Sequence, residues 1–176
     1  MEYTVGMKLQ AGKDNNFAFI DAQNLNLGVR DLGWKLDFRK FRVYLRDKYR
    51  VTKAYIFIGF IGGNQSLYTA LQNFGYILVF KPILEDKQGQ PKGNVDADLV
   101  LRAMIEYGNY DKAVVVSSDG DFYSLVEHLY EQGKLRIVLA PNRMKCSILL
   151  KRKAKEKIEF LNTLRGKLEY RNERGN

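Results

Sequence analysis

Val114-Val115-Val116-Ser117-Ser118-Asp119-Gly120-Asp121-Phe122 runs from an apolar stretch straight into a polar turn holding two carboxylates separated by one glycine. A helical pattern follows at once, from Phe122 to Glu131. A buried strand ending in a tight acidic turn is where an open α/β sheet exposes its chemistry, at the carboxyl edge of its strands. Alone, the turn has two readings. Asp119 and Asp121 are either turn and helix-cap residues or members of a site. Other acids arriving at the same edge decide between them.

Working outward, Phe17-Ala18-Phe19-Ile20-Asp21-Ala22 has the pattern of a buried strand closing on the polar turn Asp21-Ala22-Gln23-Asn24, with 26–33 as a loop. Leu36, Phe41, Tyr44, Leu45 and Tyr49 recur near helical spacing, and Arg39, Lys40, Arg42, Arg46 and Lys48 form a basic opposite face. A second strand spans 54–61 and stops at Gly62-Gly63-Asn64; a helix over 65–74 and a third strand over 76–80 follow. Residues 85–94 are polar and turn-rich, the composition of a mobile loop, and lead into a helix from Asp96 to about Tyr107. A fourth strand spans 112–117, and a fifth, after a helix ended by Gly133, spans 135–140. Beyond Asn142 the pattern predicts basic helix. Ile158, Phe160, Leu161, Leu164 and Leu168 form its closing apolar stripe, suited to packing on the chain's own sheet or to a homodimer. Strands alternating with helices predict α/β architecture, a parallel sheet flanked by helices.

A chain of 176 residues is long enough for one domain with a real core. The net charge of +9 suits an anionic partner such as nucleic acid. Much of it comes from two blocks, Arg30 to Lys53 and Arg143 to Arg174. Cys146 is the single cysteine and His128 the single histidine, so an intrachain disulfide and a cysteine-rich zinc site are both excluded. A reducing, cytoplasmic setting is expected. The start of the chain has no secretory pattern, and no apolar run reaches the roughly 20 residues of a membrane span, so no membrane partner is expected.

Right-handed crossovers bring the ends of parallel strands to one edge. Asp21 closes the first strand and Asp119 the fourth; Asp96 and Asp121 open helices that start from that same edge. Four clustered carboxylates repel one another unless cations neutralise them, and oxygen-ligated Mg²⁺ or Mn²⁺ is the natural partner. Such ions activate water and stabilise the leaving oxygen of a phosphodiester. Asp98 lies about 200° around the helix from Asp96 and is expected to serve the helix dipole instead. Asn24 is either a turn residue or an amide that orients water or substrate. Lys92 is placed to meet a phosphate, against the plainer alternative of a solvated loop lysine. Ser117 and Ser118 suit holding the acidic turn, with Ser117 also a weak substrate candidate. Gly62-Gly63-Asn64 offers backbone N–H groups, although no P-loop lysine follows. Trp34, Tyr44 and Tyr68 are possible stacking platforms for single-stranded RNA, core packing being the commoner role of such residues.

Three motifs in order, Phe19-Ile20-Asp21-Ala22-Gln23-Asn24-Leu25, Lys92-Gly93-Asn94-Val95-Asp96 and Val115-Val116-Ser117-Ser118-Asp119-Gly120-Asp121-Phe122, resemble the NYN domains of LabA-like proteins, within the PIN-like ribonuclease superfamily. The resemblance covers about 17–140. It implies a Rossmann-like three-layer α/β/α sandwich with a mostly parallel sheet of about five strands. It also implies a Mg²⁺- or Mn²⁺-dependent endoribonuclease. Asp21, Asp96, Asp119 and Asp121 fall on the family's acidic positions and Asn24 on its asparagine; Ala22 and Ser118 stand where such domains often have glycine. The organisation expected on this basis is a polar segment 1–16, an NYN domain 17–142, a basic helical extension 143–170 packed on it, and a flexible tail 171–176. Alternatives are a non-catalytic RNA-binding or scaffold protein and a nucleotide-binding or phosphatase enzyme. The second is weakened by the missing Gly-x-Gly-x-x-Gly cradle.

Overall fold

Strand β1 (Asn16–Asp21) is buried at all six positions, as a strand must be when helices cover both faces of a parallel sheet. The structure is a computed structural model that describes residues 14–81, 84–85, 91–92 and 96–172. After β1 come α1 (Ala22–Arg30), α2 (Phe38–Tyr49), β2 (Val51–Gly59), α3 (Gln65–Asn73), β3 (Tyr76–Lys81) and the small antiparallel pair β4 (Leu84–Glu85) and β5 (Pro91–Lys92). The second half holds α4 (Asp96–Ile105), β6 (Ala113–Val116), a 3₁₀ turn (Gly120–Phe122), α5 (Tyr123–Glu131), β7 (Leu135–Ala140), α6 (Ile148–Ala154), β8 (Ile158–Phe160), a second 3₁₀ turn (Leu161–Thr163) and α7 (Arg165–Leu168).

The main sheet has six parallel strands in the order β3-β2-β1-β6-β7-β8. Period-two alternation sends its side chains into two cores. Ala18, Ile20, Ala54, Ile56, Val114 and Val116 meet α1, α2 and α3 on one face. Phe17, Phe19, Tyr55, Phe57 and Val115 meet α4, α5 and α6 on the other. This is the three-layer sandwich, with one strand more than expected.

The extra strand is β8. Residues 158–168 were expected to be helical, but Ile158 and Phe160 pair with Val138 and Ala140 at the sheet edge. Three residues are too few for a period of two to be told from a helical repeat. Leu161 and Leu168 are buried in the chain's own core with Leu164 against it. The stripe that would have supported a homodimer is therefore used internally. The segment is pinned further by Asp37 N–H to Leu168 O and Tyr170 N–H to Lys35 O, each 2.8 Å.

A second correction concerns 26–33. Most of this stretch is the body of α1, whose Ala22, Leu25 and Val29 form a buried stripe at helical spacing. Two asparagines and Gly28 masked that stripe. A Cβ on Gly28 would lie 2.6 Å from Pro141 Cβ, so the glycine lets α1 approach the end of β7. The mobility expected of 85–94 lies largely outside the described residues, as do 1–13 and 173–176; 84–85 and 91–92 form the hairpin.

Candidate active site at the carboxyl edge of the sheet

The chain leaves β1 toward β2 and β3 but leaves β6 toward β7 and β8, so the topological switch point lies between the carboxyl ends of β1 and β6. A crevice opens at such a point, and open α/β sheets bind ligands there. Asp21 is the last residue of β1, and Ser117-Ser118-Asp119 continues β6.

Asp21 is only 6% exposed and N-caps α1, its Oδ1 accepting the Asn24 N–H at 3.0 Å. Burial pushes its carboxyl up from 3.8 to about 6, with the Asn24 N–H opposing and the charges of Asp96 and Asp119 adding to the rise. Asp119 caps the following 3₁₀ turn by accepting the Asp121 N–H at 3.0 Å, while its own N–H donates to Ser117 Oγ at 3.1 Å. The Asn24 side-chain oxygen accepts the Ser118 N–H at 2.8 Å, which ties α1 to the acidic turn. Ser147 N–H donates to Ser118 O at 3.0 Å on the other side. Gly120 lets the turn approach α6 closely, since a Cβ there would sit 2.6 Å from Ser147 Oγ and displace that hydroxyl.

Asp96, the first residue of α4, joins Asp119 and Asp121, and one carboxylate oxygen from each lies within 4.8 Å of the others. Around one Mg²⁺ with ligands at about 2.1 Å, at most one pair of three oxygens can lie opposite, about 4.2 Å apart, and adjacent pairs are about 3.0 Å apart, so these oxygens would close by up to about 2 Å to hold one ion. All three donors are oxygens, the set that Mg²⁺ and Mn²⁺ prefer. Neither Asp119 nor Asp121 forms an ion pair among the described residues. Asp98 is exposed and outside the group.

Other candidates separate clearly. Ser117 is fully buried, and its hydroxyl holds the Asp119 N–H, so it shapes the turn and cannot meet a substrate. The Ser118 hydroxyl is buried without a hydrogen-bond partner among the described residues. Lys92 belongs to β5, but its side chain lies outside the described residues. Trp34 and Tyr68 are buried, and Tyr44 is half-buried between Phe41 and Tyr49, so each serves packing. His128 is exposed against the Tyr107 ring, and burial raises the Cys146 thiol pKa.

The basic blocks supply less free charge than their composition suggests. Arg42 is partly buried and donates to the carbonyls of Val51, Thr52 and Gly75, joining α2 to the sheet. Lys48, Lys145, Lys153 and Arg165 are paired with Glu159, Asp31, Glu127 and Glu169. Beside Asp21, a groove of about 1000 Å³ opens between α1 and α3 over the end of β2, rimmed by Arg30, Lys35 and Lys81. Its α1 wall is Gln23, Asn26 and Arg30, at helical spacing. Reading 26–33 as a loop concealed that wall.

Six parallel strands, a switch point and clustered acids define a Rossmann-like α/β domain of the PIN-like kind. The NYN domain family matches residues 17–161, and the chain belongs to that family. NYN domains lie within the PIN-like superfamily and are in general ribonucleases. Among solved structures, a protein of unknown function from Vibrio parahaemolyticus is similar, with a TM-score of 0.72, 21% identity, and coverage of 87% of this chain and 96% of that one. At that identity the likeness is one of fold. Comparison with curated proteins gives no match. No helix among the described residues is long and apolar enough to cross a membrane.

Proposed function

We propose that the chain is a metal-dependent endoribonuclease of the LabA-like NYN group that hydrolyses single-stranded RNA. The observation carrying this reading is the meeting of Asp96, Asp119 and Asp121, from two distant stretches of chain, at the switch point beside buried Asp21. Bound there, Mg²⁺ or Mn²⁺ supplies the charge that makes water nucleophilic near neutral pH and stabilises the phosphodiester as it gains charge.

The chain's own residues do the positioning. Asp96, Asp119 and Asp121 present the ligand oxygens. Asp21, expected as a fourth ligand, lies outside the group of three whose oxygens approach within 4.8 Å, and contributes a nearby carboxylate whose pKa is raised by burial and by Asp96 and Asp119. Asn24 holds the Ser118 N–H, and through it keeps the first turn of α1 in register with the acidic turn. Asp121 has two ties to Asp119, a backbone N–H bond and shared membership of the ligand group, so turn geometry and ligand geometry are set together.

Incubating end-labelled single-stranded RNA with Mn²⁺ or Mg²⁺ tests the proposal. Cleavage by the wild type that EDTA abolishes is the expected result. RNA binding without cutting would replace the enzyme by a binding module. Phosphate release from small phosphomonoesters with RNA left intact would replace it by a phosphatase.

A further inference from the structure

The groove beside Asp21 is not accounted for by the acid cluster. Among the described residues its lining includes three basic residues and no carboxylate, although Asp21 stands beside it. Arg30, Lys35 and Lys81 form no ion pair among the described residues, Lys35 having the Tyr170 ring at 4.8 Å. The wall facing the polar α1 side is largely apolar, and two of its side chains face water, Ile61 at 53% and Leu67 at 41% exposure. Tyr68 fixes the Ile61 segment by accepting the Ile61 N–H at 2.8 Å and lying within hydrogen-bonding distance of Gly59 O, so this wall is held in place without a ligand.

The α3 amino terminus opens into the same space. Asn64 lines the groove, makes no side-chain cap bond, and no acid occupies the first turn of α3. Its first N–H groups and dipole therefore add positive potential. Phe57, which also lines the groove, pairs in register with Asp21. The backbone of one groove residue thus lies one strand spacing, about 4.8 Å, from that of Asp21. A volume of about 1000 Å³ is at the upper end of small-ligand pockets, large enough for more than one ring system.

Apolar walls interleaved with unpaired cations are what a nucleic-acid strand without a partner strand requires, since its bases need apolar contact and its phosphates need charge. We propose that this groove holds the single-stranded RNA next to the scissile phosphate, with bases against the Ile61–Leu67 wall and phosphates against Arg30, Lys35 and Lys81. The proposal rests on the reading of the acidic edge as an RNA-cutting site.

Binding to an end-labelled single-stranded RNA of about 12 nucleotides, followed by fluorescence anisotropy in EDTA, tests it independently of cutting. Arg30→Glu and Lys35→Glu are expected to raise Kd at least about tenfold and to flatten its salt dependence. Lys112→Glu, an equal charge change at the opposite edge of the sheet, should shift Kd less than about twofold. Ile61→Gln should also weaken binding, and abasic sites flanking the cleaved bond should cost the wild type affinity but cost this variant little more. Groove variants that bind like Lys112→Glu would overturn the proposal, and loss of cutting in Asp119→Asn alongside that result would leave the nuclease reading standing. Groove-dependent binding by a wild type that never cuts would do the reverse. No RNA binding by the wild type would overturn both.

Discussion

Replacing Asp21 by Asn isolates the cost of keeping a buried carboxylate near Asp96 and Asp119. The side chain is 6% exposed, and burial together with Asp96 and Asp119 raises its pKa from 3.8 to about 6. At about 1.4 kcal/mol per pH unit, that rise costs the folded, ionised protein about 3 kcal/mol above pH 6. The sign follows from proton binding. Between pH 4 and 6 the folded state holds the proton that the unfolded chain has released, so the wild type loses stability as pH rises through that window. Asn has no charge to bury and keeps an oxygen for the Asn24 N–H, the position at which Asn and Asp cap equally well. In EDTA at pH 7.5, Asp21→Asn should therefore be more stable than wild type by up to about 3 kcal/mol, or roughly 6–12 °C in Tm. The gain should vanish near pH 4. Added Mn²⁺ should raise the wild-type Tm more than that of the variant, closing the gap. Thermal unfolding across pH, with and without Mn²⁺, provides the measurement. A variant less stable than wild type at pH 7.5, or a difference that ignores pH, would refute the burial argument.

Three other substitutions test the scaffold of the site. Asn24→Ala leaves the Ser118 N–H without its acceptor and should cost about 1–3 kcal/mol in denaturant unfolding, with RNA cleavage slowed as the acidic turn loses its tie to α1. Gly28→Ala forces a methyl group against the rigid Pro141 ring; despite alanine's better helix propensity it should destabilise by about 1–3 kcal/mol. Ser118→Ala removes a buried hydroxyl that has no partner among the described residues, and should raise stability by about 1 kcal/mol in the same assay.

The alternation of apolar runs with helical periods made the five inner and edge strands and their parallel arrangement legible in the sequence, because a strand covered on both faces is apolar at nearly every position. That Asp96 meets Asp119 and Asp121 followed from topology, since parallel strands end, and the helices after them begin, at the same edge; that Asp21 stands outside this group did not. What was hidden depended on contacts distant in sequence. Strand β8 is defined by Val138 and Ala140, not by its own three residues. The helical character of α1 is carried by three buried side chains among polar neighbours and a glycine that answers to Pro141. Counting arginines and lysines could not separate Arg42, a cross-link between α2 and the sheet, from Arg30, which lines the groove without an ion pair among the described residues. Ser117 looked able to reach a substrate because its burial under the turn is a tertiary fact.

The most direct test of the acidic edge is the single-turnover rate of single-stranded RNA cleavage at saturating Mn²⁺ by wild type and by Asp119→Asn purified identically. The amide introduced by this substitution keeps an oxygen for the Asp121 N–H, so the fold of the turn should survive while one ligand charge is lost. A fall of at least about 100-fold is expected. Cleavage at the wild-type rate would contradict the assignment of this edge as the catalytic site.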